Sequence, residues 1–385
     1  MKENKISIKK IMLVFGTRPE AIKMAPLIDI LKSESDNFEL LICVTGQHRY
    51  LLDQVLDLFN ITPDIDLNIM KFSQNLSDVT CQIILEMGKI FLKHKPDIVL
   101  VHGDTTTAFA TSLAAFYAGI SVGHIEAGLR TNDITSPFPE EFNRQVITKL
   151  SHWHFAPTSI ARNNLISEKI IESKITVTGN TVIDSLKWVL NRIITEPARL
   201  NGIISSLNNI LSFDWRAERF ILVTGHRREN FGIGFLHICE ALRELAEFYV
   251  DIEFVYPVHL NPNVVQPVRE ILGGIANVHL IDPLDYETFI YLLKHCYFVM
   301  TDSGGIQEEA PSLGKPVLLM RDITERTEAV EAGTVLLVGA NKKRIVDGVS
   351  RLLIDEEHYL RMSQSHNPYG DGNACVRILN VLRNI

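Results

Sequence analysis

Residues 298–311 read FVMTDSGGIQEEAP, and the fold turns on how they divide. The apolar run Tyr297–Met300 predicts a short buried strand, Thr301-Asp302-Ser303-Gly304-Gly305 a turn, and Ile306 onward a helix. A strand, a glycine turn and a helix start make an anion site, because unpaired backbone N–H groups and the helix dipole point at the turn. Gly304 and Gly305 let a diphosphate approach the backbone closely. Glu308 and Glu309 fall in the first helical turns, where a carboxylate can accept ribose hydroxyls. The same residues also describe an ordinary strand–helix connection capped by Ser303, so only the surroundings make the turn specific.

The surroundings repeat the rhythm. In the first half, short β-branched runs at Ile11–Phe15, Glu39–Val44, Asp97–Val101, Ser121–Ile125 and Trp153–Ala156 predict strands. Between them, apolar stripes such as Ala21, Met24, Ala25, Ile28 and Leu31 predict helices. The second half predicts strands at Phe220–Thr224, Ile252–Tyr256, Val278–Ile281, Tyr297–Met300, Val317–Met320 and Val335–Val338. Strands alternating with helices imply parallel sheets covered on both faces. With 385 residues, two domains are expected: residues 1–178, and 179–373. Residues 191–216 read as helical and connecting, and the final helix, Ala374–Leu382 within 374–385, is expected to pack back on the first domain. The fold class is α/β, two doubly wound Rossmann-like domains whose strand C-ends face a shared cleft.

Composition narrows the partners. A net charge of −8 argues against nucleic acid or an acidic membrane as the main partner, while leaving room for a local basic pocket. The five cysteines form no CxxC pair and read as reduced thiols of a cytoplasmic protein. The apolar run after the basic N-terminus spans only Ile11–Phe15, too short for a signal-peptide core, and no run approaches membrane-spanning length.

Polar loops follow the predicted strands. Arg18 stands at the end of the first, with Lys23 about one helical turn on; two cations at a helix start suit a phosphate. The densest cluster lies between Asp97 and Arg144. Period-two geometry puts His102 with Asp104, and His124 with Glu126, on like faces. Carboxylates paired for proton transfer fit this pattern better than a metal, since burial beside a second carboxylate raises one pKa toward neutrality. Glu140 and Glu141 open a helix after Pro139; Glu141 reads as complementing the helix dipole, and Glu140 with Arg144 as either functional or a surface ion pair. In the second half, His226 and Arg227 follow one buried strand, His259 a second, and residues 321–326 a third. Three such loops beside the glycine turn indicate a nucleotide-sized site.

GTRPEAIKMAPL, HGDTTT, GHIEAGLRT, PEEFNR, VTGNTVID, VTGHRREN, YPVHLNPNV, DSGGIQEEAPSLGKPV and HNPYGDG occur in one order from about Ile11 to Arg383. Together they resemble the non-hydrolysing UDP-N-acetylglucosamine 2-epimerases of bacteria. The resemblance implies a GT-B-like fold, a cytoplasmic homodimer, interconversion of UDP-GlcNAc and UDP-ManNAc for a cell-surface polysaccharide, and no metal or other cofactor. It implies elimination of UDP to a 2-acetamidoglucal and its re-addition. Asp104, Glu126 and Glu140 match the family's acid/base carboxylates, with which proton each takes left open, and His226 matches a histidine near the diphosphate. Arg18 and Lys23 match first-domain substrate contacts; Ser303, Gly304 and Gly305 the phosphate turn; Glu309 the ribose carboxylate; Phe289 a position beside uracil; and Arg326 a further contact. The segment from Gln47, with Arg227 and His259, matches a neighbouring site where substrate activates many relatives.

Two departures stand out. Residues 322–328 read DITERTE where the family pattern reads DTTERPE, which predicts a less rigid loop. Tyr50 stands where relatives often carry a polar residue, which puts the activating site in doubt. The competing readings are a hydrolysing 2-epimerase, a GT-B glycosyltransferase and a non-catalytic nucleotide-sugar sensor. The sequence GTRPE at 16–20 fits the non-hydrolysing branch, whose hydrolysing relatives tend to read GSRAE.

Overall fold

Parallel pairing runs through both sheets, as the alternation of strands and helices requires. The computed structural model describes residues 8–46, 49–70 and 74–385. It divides into two compact units, 1–185 with 369–385, and 186–368.

The first unit carries β1 (Lys9–Phe15), β2 (Phe38–Val44), β3 (Ile65–Asp66), β4 (Ile98–His102), β5 (Ser121–Ile125), β6 (Trp153–Ala156) and β7 (Ile175–Val177), in the order β3-β2-β1-β4-β5-β6-β7. The second carries β8 (Phe220–Thr224), β9 (Glu253–Pro257), β10 (Val278–Ile281), β11 (Phe298–Thr301), β12 (Val317–Leu319) and β13 (Val335–Leu337), in the order β10-β9-β8-β11-β12-β13. All eleven expected strands form, with no end shifted by more than two residues. The two that were not expected, β3 and β7, are edge strands of two and three residues, too short to show alternation.

Strand order reverses at β1/β4 in the first unit and at β8/β11 in the second. Such switch points open a crevice outside the strand C-ends, because the flanking helices leave toward opposite faces. The central strands are long apolar runs: Ile11–Phe15 and Val99–Val101 are wholly buried, as are Phe220–Val223 and Phe298–Met300. One side of the first sheet packs Met12, Val14, Val99 and Val101 against Ile83, Met87 and Ala114 of its crossover helices. In the second, Ile221, Val223, Phe298 and Met300 meet Phe235, Ile238 and Leu242. Register sets strand ends level, with Val14 opposite Val101 and Thr301 opposite Thr224, so the loops at each switch point start side by side.

The region 191–216 is largely helical, in Thr181–Thr195 and Pro197–Ile210. The helix Ala374–Arg383 packs on the helix Arg18–Ser33 within the first unit. No described helix is long and apolar enough to cross a membrane.

Candidate active site

At the first switch point, β1 ends in Gly16-Thr17-Arg18. Gly16 has no room for a side chain: a Cβ there would lie 2.1 Å from Thr45 Oγ1 and 2.4 Å from Thr107 Oγ1. Thr17 and Glu20 close the following helix start as a capping box. Glu20 is buried, accepts from the Gly16 and Thr17 N–H groups and from Thr105 Oγ1 at 2.7 Å, and so ties the loop after β1 to the loop after β4. Burial raises its pKa against those donors. Arg18 is half-buried at the first helical position.

Lys23 is not a solvated surface charge. It is buried and forms a salt bridge with Glu126 Oε2. Glu126 follows β5 with φ +65°, a left-handed backbone unusual for a residue with a side chain. That turn, with Gly103 at φ +64°, breaks the period-two pattern. The expected pairing of His124 with Glu126 is therefore corrected: His124 Nε2 lies 2.7 Å from the Gly103 carbonyl oxygen, and it is His102 Nε2 that stands 4.0 Å from Glu126 Oε2. Burial pulls His102 down to about 4 and His124 to about 3, so both imidazoles are neutral near pH 7. Among the described residues no group of three His, Cys, Asp or Glu is placed to hold a metal ion.

Asp104 is half-buried after β4. Its Oδ2 lies 2.7 Å from Arg144 Nη2, and its carbonyl accepts from Asn143 Nδ2 at 2.8 Å. Arg144 is also 3.2 Å from Glu141. Arg144 thus pairs with both Asp104 and Glu141. Glu141 does more than complement a dipole: wholly buried, it accepts from the Thr131 N–H at 3.0 Å and from Gln145 at 2.8 Å. Glu140 is half-buried at the first residue of the helix Glu140–Leu150.

At the second switch point the glycine turn follows β11, as its sequence implied. The helix starts at Ile306 with Gly305 as its N-cap; Ser303 does not cap it, and its N–H donates to Thr301 Oγ1 at 2.9 Å. Gly304 faces the Arg326 guanidinium so closely that a Cβ would stand 2.9 Å from Nη1. Arg326 Nε donates to Glu308 at 2.6 Å, and Nη1 pairs with Glu325. Arg321 joins at 2.6 Å from Glu229 and 3.2 Å from Glu325. Though burial opposes it, Arg326 and Arg321 hold Glu325 down at about 2. Glu309 is buried and accepts from the Tyr286 hydroxyl at 2.6 Å, while Phe289 is half-buried on the same helix, Tyr286–His295.

Asp302 was missed by the sequence reading. It is wholly buried, and Oδ2 accepts from the His226 and Arg227 N–H groups at 2.9 and 2.8 Å and from Asn230 at 3.2 Å. Burial works against its ionisation, but these donors and the His226 ring, 3.3 Å away, hold it below the usual carboxylate range. One aspartate after β11 thus shapes the loop after β8. His259 is exposed and stacks on His226 with ring centres 5.4 Å apart. Of the expected activating set, Arg227 is half-buried, and Gln47 lies outside the described residues.

Two doubly wound parallel sheets, each with its polar loops gathered at a switch point, define a GT-B-like α/β protein. Within that class the chain belongs to the UDP-N-acetylglucosamine 2-epimerase family, whose model matches residues 31–383. It is 57% identical over 375 residues to the UDP-N-acetylglucosamine 2-epimerase of Yersinia pestis, covering 97% of this chain and 98% of that one. It is 56% identical to the enzyme of that name from Escherichia coli (strain K12), with the same coverage. A crystal structure of UDP-GlcNAc 2-epimerase from Neisseria meningitidis bound to UDP-GlcNAc is 50% identical and superposes with a TM-score of 0.92, covering 98% of this chain and 100% of that one.

Proposed function

We propose that this chain interconverts UDP-GlcNAc and UDP-ManNAc without releasing the free sugar, supplying ManNAc units for a cell-surface polysaccharide. The observation that carries the reading is the first switch point, where Glu126 and Asp104 are each held by a buried cation, Lys23 and Arg144. The C2 hydrogen of the sugar is not next to a carbonyl, so direct deprotonation is disfavoured. Expelling UDP breaks the C1–O bond with its electron pair going to the diphosphate, and loss of the C2 proton supplies the C1=C2 bond of the glycal. Re-addition of UDP, with a proton delivered to the other face of C2, inverts that centre.

Asp104, Glu126 and Glu140 are the carboxylates that take and return the proton. At the second switch point, Ser303, Gly304 and Gly305 hold the diphosphate, with His226 beside it and Arg326 behind the turn. Glu309, oriented by Tyr286, takes the ribose, and Phe289 lies by the base. Arg18 adds a cation to the substrate contacts. The enzyme works in the cytoplasm as a homodimer. Leu85 and Leu92 on the helix Leu76–His94, with Phe116 and Tyr117 on the helix Thr106–Tyr117, support dimerisation as an exposed apolar face on the first unit.

Incubation with UDP-GlcNAc in heavy water tests the reading. Deuterium should enter C2 of both UDP-sugars. Free ManNAc as the main product would establish the hydrolysing reaction instead, and inertness without an added acceptor would favour a glycosyltransferase.

A further inference from the structure

Two sequence motifs, 177–184 (VTGNTVID) and 366–372 (HNPYGDG), have no part in the reaction above, yet the first meets residues 369–372 of the second within the first unit. The Asn180 N–H donates to the Tyr369 carbonyl at 2.7 Å. Arg377 donates to the Thr178 carbonyl at 2.9 Å. Asp184 accepts the N–H groups of Ala374 and Cys375 at 3.2 and 2.9 Å, capping the helix Ala374–Arg383 from outside it. Gly179 and Gly370 both have positive φ, +87° and +113°, and a Cβ on Gly370 would stand 3.1 Å from the Gly179 Cα. The two backbones touch, and the first motif clamps residues 369–385 in place.

The Asn180 side chain serves a different partner. Its Nδ2 donates to Glu126 Oε2 at 2.7 Å, while Oδ1 accepts from the Val182 N–H at 3.1 Å. The second bond fixes which end of the amide faces Glu126, since only the NH₂ end can donate. Asn180 is 2% exposed. Glu126 Oε2 thus receives Asn180 and Lys23 together, which leaves Oε1 on the Gly103 side, 3.6 Å from where a Gly103 Cβ would lie.

We propose that Asn180 is a positioning residue for the reaction: anchored on the returning chain at Tyr369, it holds Glu126 Oε2 and keeps that carboxylate oriented and ionised. The inference rests on the reading of Glu126 as a proton-transfer group. Lys23, from the helix Arg18–Ser33, and His102, from β4, are charged and titratable groups that face Glu126. Asn180 adds a neutral donor beside them. A hydrogen bond to the ionised form of a carboxylate favours that form, so removing it raises the carboxylate's affinity for a proton.

Asn180→Ala and Asn180→Ser in the full chain test this, with UDP-GlcNAc as substrate. The readouts are kcat, KM and C2 deuterium incorporation between pH 5 and 9, with thermal melting alongside. We expect kcat to fall about tenfold or more, KM to change by less than about threefold, and the acidic limb of kcat/KM to move up by about half to one pH unit. In a Glu126→Gln background the Asn180→Ala change should cost nothing further. An acidic limb coinciding with that of the unsubstituted chain would overturn the proposal, as would a full multiplicative loss in the double variant. Loss of the fold in both variants would also overturn it, by making Asn180 a purely structural residue. If the unsubstituted chain puts no deuterium into C2, the epimerase reading itself fails, and that outcome is distinct from a normal enzyme with unmoved variants.

Discussion

The two switch points put their charged side chains to different use. The first is built of charged side chains held in buried partnerships: Lys23 with Glu126, Arg144 with Asp104 and Glu141, and Glu20 with two threonines. The second centres on a backbone turn, Gly304-Gly305, and its charged partnerships surround it as braces, Asp302 on one side and the Arg326 network on the other. Under the proposed function the difference has a reason. Moving a proton requires carboxylates whose ionisation is set by fixed neighbours, whereas holding a diphosphate requires N–H groups that carry no titratable charge.

The largest expected effect tests the first half of the contrast. Asp104→Asn and Glu126→Gln should each lower turnover about 10²–10⁴-fold while leaving UDP affinity nearly unchanged, because acid/base groups act in the transition state. Turnover like that of the unsubstituted enzyme for either would remove that residue from the reaction.

Acid should separate the units next. His102, His124 and His154 of the first unit are buried, and burial lowers them to about 4, 3 and 4, all below the value of about 6.5 they have in an unfolded chain. The unfolded state therefore binds protons first as pH falls. Their contribution is full above pH ~6.5 and is lost as pH drops through about 4, with His102 alone accounting for on the order of 3 kcal/mol. In the second unit Asp302 and Glu325 are both held low, Glu325 to about 2, and the lowered histidines, His259, His295 and His358, are exposed or half-buried rather than buried. Hydrogen exchange followed from pH 7 to 4 should show the first unit opening before the second; simultaneous opening would contradict the contrast.

A smaller effect tests the glycine turn. Gly304→Ala drives a methyl into a guanidinium that Glu308 and Glu325 hold in place. UDP affinity should fall about tenfold by calorimetry, with kcat less affected, the mark of lost binding common to ground and transition states. Unchanged affinity would mean Arg326 swings aside and the turn tolerates a side chain. The smallest change is Tyr286→Phe, which removes one donor from Glu309 and should weaken UDP binding by about threefold. A loss of a hundredfold would instead mark the hydroxyl as a direct ligand.

Much of this was legible from the chain. Strand and helix periods show both doubly wound sheets, and the turn at 301–305 announces itself because glycine and a strand end mark it locally. What was hidden depends on which strands lie side by side. Asp302 can brace the loop after β8 only because β11 pairs with β8, and Glu20 can reach Thr105 only because β4 lies beside β1. His102 displaced His124 beside Glu126 because a glutamate took a left-handed backbone, a choice that no periodicity predicts. Arg144 reaches Asp104 on the loop after β4, a partner that helical spacing cannot show.

The clamp at Asp184 has a consequence for how the protein is made. Residues 186–368 are continuous in sequence, whereas the first unit needs residues 369–385 to complete it. On the ribosome the second unit can therefore mature while the first, though synthesised earlier, waits for its closing helix. Chains stalled shortly after residue 368 has emerged should resist protease in the later-made half and be cut in the earlier-made one. Equal resistance in both halves would show that the first unit closes without its last segment.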